Sequence, residues 1–372
     1  MVMSTQLSSR IDPHAFPHII DAILEHAATE WFTIRLVCHA FRSRVDALLF
    51  RHVYLSATDA DTLVWLPYRK MVALPLLVKP ATCQHRRWCS CHLPDVAEVL
   101  PNYAWCSTSS GSELPLLSPR DLVKALHCTR VLTIVGRMDV FHPDFVAGLT
   151  NLHTIRTRPH VHRICQHRYG MPKLNPVSPC LPFVAPRMVA FVELQRWPLV
   201  RCNGLMFSRP IVVDGVQRLV LNVAFQSPMH SNDGGFLADI DYPASLREVV
   251  VIFNPSTTTD AYIGLSSGLT IQASLEASPD RWLQDVATGL SLYPQIDYSF
   301  VDLPRDAWGP TMEQVDWVDV REAFVAAHKA ALHDRGYGGD EIQSVLHRVR
   351  FFTATEYAQL VGQEQYRLET VR

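Results

Sequence analysis

Two short segments concentrate the side chains best suited to metal or redox chemistry. CQHRRWCSCH places Cys83, His85, Cys89, Cys91 and His92 within ten residues, and HVHRICQH places His160, His162, Cys165 and His167 within eight. Zinc takes four nitrogen or sulfur ligands in a tetrahedron. Neither segment has the paired C-x2-C arms that make a zinc site specific. Arg86 and Arg87 beside the thiols would lower their pKa, which favours metal binding and oxidation equally. The expectation is a surface loop with no bound metal. Gly264-Leu265-Ser266-Ser267-Gly268 matches the form G-x-S-x-G. A nucleophile elbow needs a buried strand before the serine and a helix after it. The preceding STTTDAYI is polar, and no HGGG-type oxyanion run occurs. H-E-x-x-H, G-x-x-x-x-G-K-[ST] and G-x-G-x-x-G are absent too. The 17 histidines are scattered without a carboxylate at fixed spacing. No catalytic residue, metal or cofactor is expected.

The composition fits a globular, mixed-charge chain. Its 372 residues correspond to about two and a half units of ~150 residues, enough to bury a core without staples. Hydrophobic residues at 48% and charged residues at 19% exclude a disordered, collagen-like or coiled-coil chain. A net charge of −2 gives no sign of a strongly basic nucleic-acid binder. Nine cysteines are too few for a disulfide scaffold, and no N-x-[ST] site has a permitted middle residue. The start of the chain carries no apolar signal-peptide core, and the apolar run Met71 to Val78 is short and contains a proline. These features predict a soluble protein of a reducing compartment, cytoplasm or nucleus, with no membrane or nucleic-acid partner.

The elements that would position a functional surface begin at the amino terminus. Phe16, Ile19, Ile20, Ile23, Leu24 and Ala27 recur at helical spacing, with Pro17 at the first turn. Ile34, Val37, Cys38, Phe41, Val45, Leu48 and Leu49 form a second stripe, with Arg35, Arg42, Arg44 and Asp46 outside it. Thr29 is a candidate cap between the two, with a short turn at Glu30 to Phe32. Two such helices cannot bury both stripes alone, so they need the rest of the chain or a partner.

Residues Phe16 to Leu55 resemble an F-box. Phe16-Pro17 stands for the opening Leu-Pro pair, Ile19, Ile20, Ile23 and Leu24 for the first helix, and Leu36-Val37-Cys38 with Phe41-Arg42 for the second signature. The run Asp46 to Leu55 resembles the extension found in F-box-like proteins of mushroom-forming fungi, where the chain enters its first strand. Phe16 in place of Leu, His18 in place of a frequent acidic residue, and Ala27-Ala28 in place of a bulkier aliphatic depart from the pattern. The resemblance covers about forty of 372 residues. It implies docking on the small adaptor subunit of an SCF-type ubiquitin ligase through Phe16, Pro17, Ile20, Ile23, Leu24, Leu36, Val37 and Phe41. Some of these must face the hairpin core instead, and the sequence does not separate the two sets.

The helical unit, 12–55, is followed by a Pro/Cys/His-rich connection, 56–119, with a short helix near Asp95 to Leu100. Over 120–305, strands are expected at Val131 to Val135, Leu152 to Thr157, Val189 to Leu194, Arg218 to Phe225, Glu248 to Phe253 and Asp297 to Val301. A helix ending near His127 leads into the first of them. Alternation such as Val131, Thr133, Val135 suits strands buried on one face. Leu149-x-x-Leu152, Val216-x-x-Leu219-x-Leu221-Asn222 and Leu246-x-x-Val249-x-Val251 resemble pieces of leucine-rich repeats, which commonly follow F-boxes. The steps of about 21, 37, 29, 30 and 49 residues are irregular. The expected fold class is α/β: a helical hairpin, then a degenerate leucine-rich-repeat-like solenoid, then a helical cap over 306–372. An ordinary α/β sheet with uneven crossovers is the alternative.

In the cap, Trp317, Val320, Phe324, Ala327 and Leu332 share a helix face, Gly336 is the stop, DEIQSVLHRVR follows, and Thr353 or Thr355 caps a last helix. These helices are expected to close the open end of the solenoid. The resulting expectation is a non-catalytic substrate-recognition adaptor whose repeat region binds a protein target. The alternative is a protein-binding repeat scaffold with a decayed F-box and no ligase role.

Overall fold

The structure is a computed structural model that describes residues 17–27, 31–34, 36–57, 62–66, 70–73, 78–79, 124–135, 140–141, 143–158, 182–194, 212–225, 237–238, 240–255, 279–303 and 317–371. Three helices come first: α1 (Pro17–His26), α2 (Trp31–Ile34) and α3 (His39–Leu49). Strand β1 (His52–Ala57) follows, then β2 (Thr62–Leu66), β3 (Lys70–Ala73) and β4 (Val78–Lys79). Next are β5 (Val131–Val135), β6 (Val140–Phe141), α4 (Pro143–Gly148), β7 (Thr154–Arg158), β8 (Arg187–Leu194), β9 (Arg218–Phe225) and β10 (Glu248–Pro255). The chain closes with α5 (Pro279–Ser291), β11 (Asp297–Val301), α6 (Trp317–Asp334), α7 (Gly339–Leu346), β12 (Val349–Phe352), α8 (Ala354–Val361) and α9 (Gln363–Thr370).

The fold is mixed α/β. Ten strands form one sheet in the order β12-β11-β10-β9-β8-β7-β5-β1-β2-β3, and β4 pairs with β6 apart from it. Strands β1, β5, β7, β8, β9, β10, β11 and β12 are all parallel and adjoin in chain order, and β2 and β3 extend the β1 side as an antiparallel pair. Parallel neighbours need a crossover between them, and α4, α5 and α6–α7 are described parts of such crossovers.

The expected strands at Val131, Arg218 and Asp297 have the bounds observed, and the other three agree to within two residues at each end. Gly336 stops α6 with φ +86°. Thr353 is the cap of α8: its hydroxyl accepts from Glu356 N, and the Glu356 carboxylate accepts from Thr353 N, a reciprocal capping box.

The core lies mainly on one face of the sheet. There Leu55, Ile134, Met188, Leu219, Val249 and Phe300 meet the buried stripes of α3, α4, α5 and α6. Ile20, Leu24, Trp31, Val45 and Leu49 belong to the same continuous apolar cluster. The amino-terminal helices therefore bury their stripes against the sheet.

Two expectations are corrected. Strands β8, β9 and β10 are buried on both faces rather than one, because Val189, Phe191, Val220, Val250 and Ile252 form a second apolar cluster with Tyr357 of α8. Tyr366 of α9 packs against that cluster as well. Helices α8 and α9 consequently lie across the second face of the sheet instead of closing its end. Two buried arginines, Arg156 and Arg158 of β7, continue this face and stack on Phe191 at 5.0 and 5.4 Å.

Candidate functional site

Helix α1 divides its aliphatic residues cleanly. Ile20 and Leu24 are buried, while Ile19 and Ile23, one turn apart, are 44% and 46% exposed. The turn between α2 and α3 leaves Leu36 62% and Val37 68% exposed. Cys38 follows in extended conformation (φ −159°, ψ 167°), begins α3 and is exposed. Beneath these residues the helices are fastened together. Trp31 is buried and its Nε1 donates to the Leu24 carbonyl. Arg44 of α3 reaches Asp21 of α1 at 3.1 Å. That pair is solvent-accessible and contributes at most about 1 kcal/mol, so the buried Ile20, Leu24, Val45 and Leu49 do most of the positioning.

The eight residues expected to dock on an adaptor therefore separate. Ile23, Leu36 and Val37 face outward, Ile20 and Leu24 face the core, and Phe41 is half-buried against the core. Pro17 begins α1, and Phe16 lies outside the described residues. Ile19 joins the outward set. Its signal in the sequence is the i, i+4 pair with Ile23.

Several chemistry-bearing segments, Cys83 to His92, His160 to His167 and Gly264 to Gly268, lie outside the described residues. Among the described residues no group of three or more His, Cys, Asp or Glu is placed to hold a metal. Three hydroxyl–imidazole pairs occur among the described residues: His127 Nδ1 with Thr150 Oγ1 at 2.9 Å, His153 Nδ1 with Thr154 Oγ1 at 3.1 Å, and the more buried His52 Nε2 with Thr133 Oγ1 at 2.8 Å, where Arg156 lies 3.5 Å from the same hydroxyl. Burial, with Arg156 and Arg158 nearby, holds the His52 imidazole down at about 3. An imidazole so depressed is a weak base near neutral pH, poorly suited to activating the threonine. The arrangement orients side chains on the second face.

The largest polar arrangement on that face is a clamp on the carboxyl-terminal helices. Glu369 of α9 is fully buried and accepts from Tyr357 Oη at 2.6 Å, Gln365 Nε2 at 2.7 Å and Arg218 Nη2 at 3.4 Å. Arg218 also donates to Tyr357 Oη at 2.6 Å and to Glu248 at 2.9 Å. Burial pushes the Tyr357 phenol well above its ordinary range, with the Glu369 charge acting the same way. Asn222 donates to the Glu369 and Thr370 carbonyls at 3.0 and 3.4 Å and accepts from Asn254 at 2.8 Å. Arg156 donates to the Val371 carbonyl. No sequence signal joins these residues, because the clamp spans up to 215 positions.

Compared with protein-family models, with curated proteins and with solved structures, the chain matches none of them.

Proposed function

We propose that the chain is a non-catalytic substrate-recognition adaptor of an SCF-type ubiquitin ligase, with its F-box-like helices docking on the SCF adaptor subunit. The observation that carries the reading is the outward presentation of Ile19, Ile23, Leu36 and Val37 from a helical unit that Ile20, Leu24, Trp31, Val45 and Leu49 anchor in the core. Exposed aliphatics held in a rigid frame are what a protein-docking surface requires, and they fall within the segment that resembles an F-box. The strand order, with each parallel strand next to its predecessor, supports a degenerate leucine-rich-repeat-like solenoid as the target-binding part. The chemistry would be proximity: one surface engages the ligase, another holds a protein target, and a separate enzyme transfers ubiquitin. Cytoplasm and nucleus are the compartments where such a complex would act.

The test is co-purification of the full chain with the SCF adaptor subunit, beside the double variant Ile23→Asp, Val37→Asp. Both positions are exposed, so the variant is expected to keep the wild-type unfolding midpoint and lose the adaptor. A folded wild-type chain that does not bind would overturn the reading and leave a repeat scaffold with no ligase role.

A further inference from the structure

Basic residues recur where the parallel strands begin. Arg51 precedes β1, Arg130 precedes β5, His153 precedes β7, Arg187 opens β8, Arg218 opens β9, and Arg348 precedes β12. Backbone register sets Arg51, Arg130 and His153 side by side, with Arg187 one position further along, opposite Thr154. Arg130 N donates to the Arg51 carbonyl at 2.9 Å, His153 N to the Arg130 carbonyl at 2.9 Å, and Arg187 N to the His153 carbonyl at 3.2 Å.

Toward β12 most charges are met within the chain, although Arg247, which precedes β10, forms no ion pair among the described residues. Arg218 and Arg350 share Glu248 at 2.9 and 3.4 Å, and Arg348 lies 3.7 Å from Asp297. Toward β1, Arg130 and Arg187 form no ion pair among the described residues. Arg51 has one bridge to Glu364 at 3.0 Å, with both side chains more than half exposed. Burial, then Arg187 and Arg130, lower the His153 pKa, so the imidazole between the two arginines stays neutral at physiological pH and adds a hydrogen-bonding group to the row.

We infer that the amino-terminal edge of β1, β5, β7 and β8 is a docking surface for an acidic peptide segment of a partner protein, whose carboxylates pair with Arg51, Arg130 and Arg187. The argument is charge complementarity. The chain as a whole carries −2, so this basic row is local and not a consequence of overall charge. A guanidinium takes a carboxylate through two parallel N–H bonds. Strands lie ~4.8 Å apart, so four adjacent strands offer a row roughly 14 Å long, matching four or five residues of extended peptide. A row this short with three guanidinia offers fewer phosphate contacts than nucleic-acid binding usually employs. The surface shares no residue with Ile19, Ile23, Leu36 and Val37. Binding here does not depend on the adaptor reading, although that reading would make the bound segment part of a ligase target.

The experiment measures fluorescence anisotropy of the full chain with a labelled ten-residue glutamate-rich peptide. A glutamine-matched peptide and a single-stranded oligonucleotide of equal charge serve as comparisons. The expected result is binding of the acidic peptide alone, at least tenfold weaker in 500 mM than in 50 mM salt. Arg130→Glu with Arg187→Glu is expected to lower affinity at least tenfold, and Arg130→Gln alone about threefold. Arg187→Lys is expected to stay within threefold of wild type, which separates lost charge from lost folding. Equal binding of the glutamine peptide, wild-type binding by folded Arg130→Gln and double-variant chains, or stronger binding of the oligonucleotide would each overturn the proposal.

Discussion

Tyr357 and Glu369 lie twelve residues apart on two short helices, and the tyrosine hydroxyl donates to the glutamate carboxylate across 2.6 Å. Arg218 of strand β9 reaches both, which ties the helices to the sheet. A buried carboxylate with three donors is tolerable, whereas a buried guanidinium and phenol stripped of that carboxylate are not. Glu369→Ala is expected to destabilise the chain by about 3–5 kcal/mol. Tyr357→Phe is expected to cost about 1–3 kcal/mol, because Gln365 and Arg218 still serve Glu369. Urea unfolding of both variants checks the order, and an unchanged midpoint for Glu369→Ala would show that the clamp contributes nothing.

Stability is expected to fall on mild acidification. His52, His153 and His328 all have pKa values lowered in the folded chain, His52 to about 3, each chiefly by burial. The unfolded chain binds these protons first, so the stabilisation is complete above the unfolded value of about 6.5 and shrinks as pH falls below it. For His52 the loss continues down to about 3. Urea midpoints at pH 7.5, 6.0 and 5.0 are expected to decrease in that order. His52→Gln, which does not titrate and can still bond Thr133, is expected to flatten the decline. A wild-type midpoint independent of pH over this range would contradict the argument.

Loss of the Thr353 cap is expected to weaken the same helices from their start. Thr353→Ala removes the hydroxyl that accepts from Glu356 N and is expected to cost about 1 kcal/mol. Thr353→Ser preserves the oxygen and is expected to remain within a few tenths of a kcal/mol of wild type. Differential scanning calorimetry of the pair separates capping from side-chain packing. Equal losses in both variants would assign the effect to the threonine methyl group.

Neighbouring residues on α1 are expected to respond in opposite ways. Leu24→Ala opens a cavity in the shared core and is expected to cost about 2–5 kcal/mol. Ile23→Ala changes an exposed position and is expected to stay within about 0.5 kcal/mol. Thermal unfolding of the full chain checks this, and comparable losses would mean that both residues are covered.

The strands were readable in the sequence because β-branched residues bounded by turns have few other stable arrangements. Val131 to Val135, with four β-branched residues in five, is the clearest case. Strand β12 has only four residues, Val349-Arg350-Phe351-Phe352, too few to display a period. Helix α5 is absent from the sequence expectations although Leu283, Val286, Ala287 and Leu290 stand at helical spacing. Periodicity assigns Val37 and Cys38 to the second apolar stripe, but both precede the first turn of α3 and are exposed there, as is Leu36, which lies outside that stripe. The clamp was illegible for a different reason. Glu369 and Arg218 look like solvated charges until the fold brings together residues 151 positions apart. For the same reason the two-sided burial of β8 to β10 could not be foreseen, since it depends on where the last twenty residues return.

The grip of Arg156 on the Val371 carbonyl gives the returning tail a measuring role. The tail leaves β12 and is held at β7, so its length must match six consecutive strands. A parallel array laid down in chain order can in principle gain or lose one crossover unit without disturbing the register of the others. Here such a change between β7 and β12 would shift the tail's end by one strand spacing, ~4.8 Å, out of reach of its anchor. The segment from β12 to Val371 thus has a length matched to the number of strands it crosses.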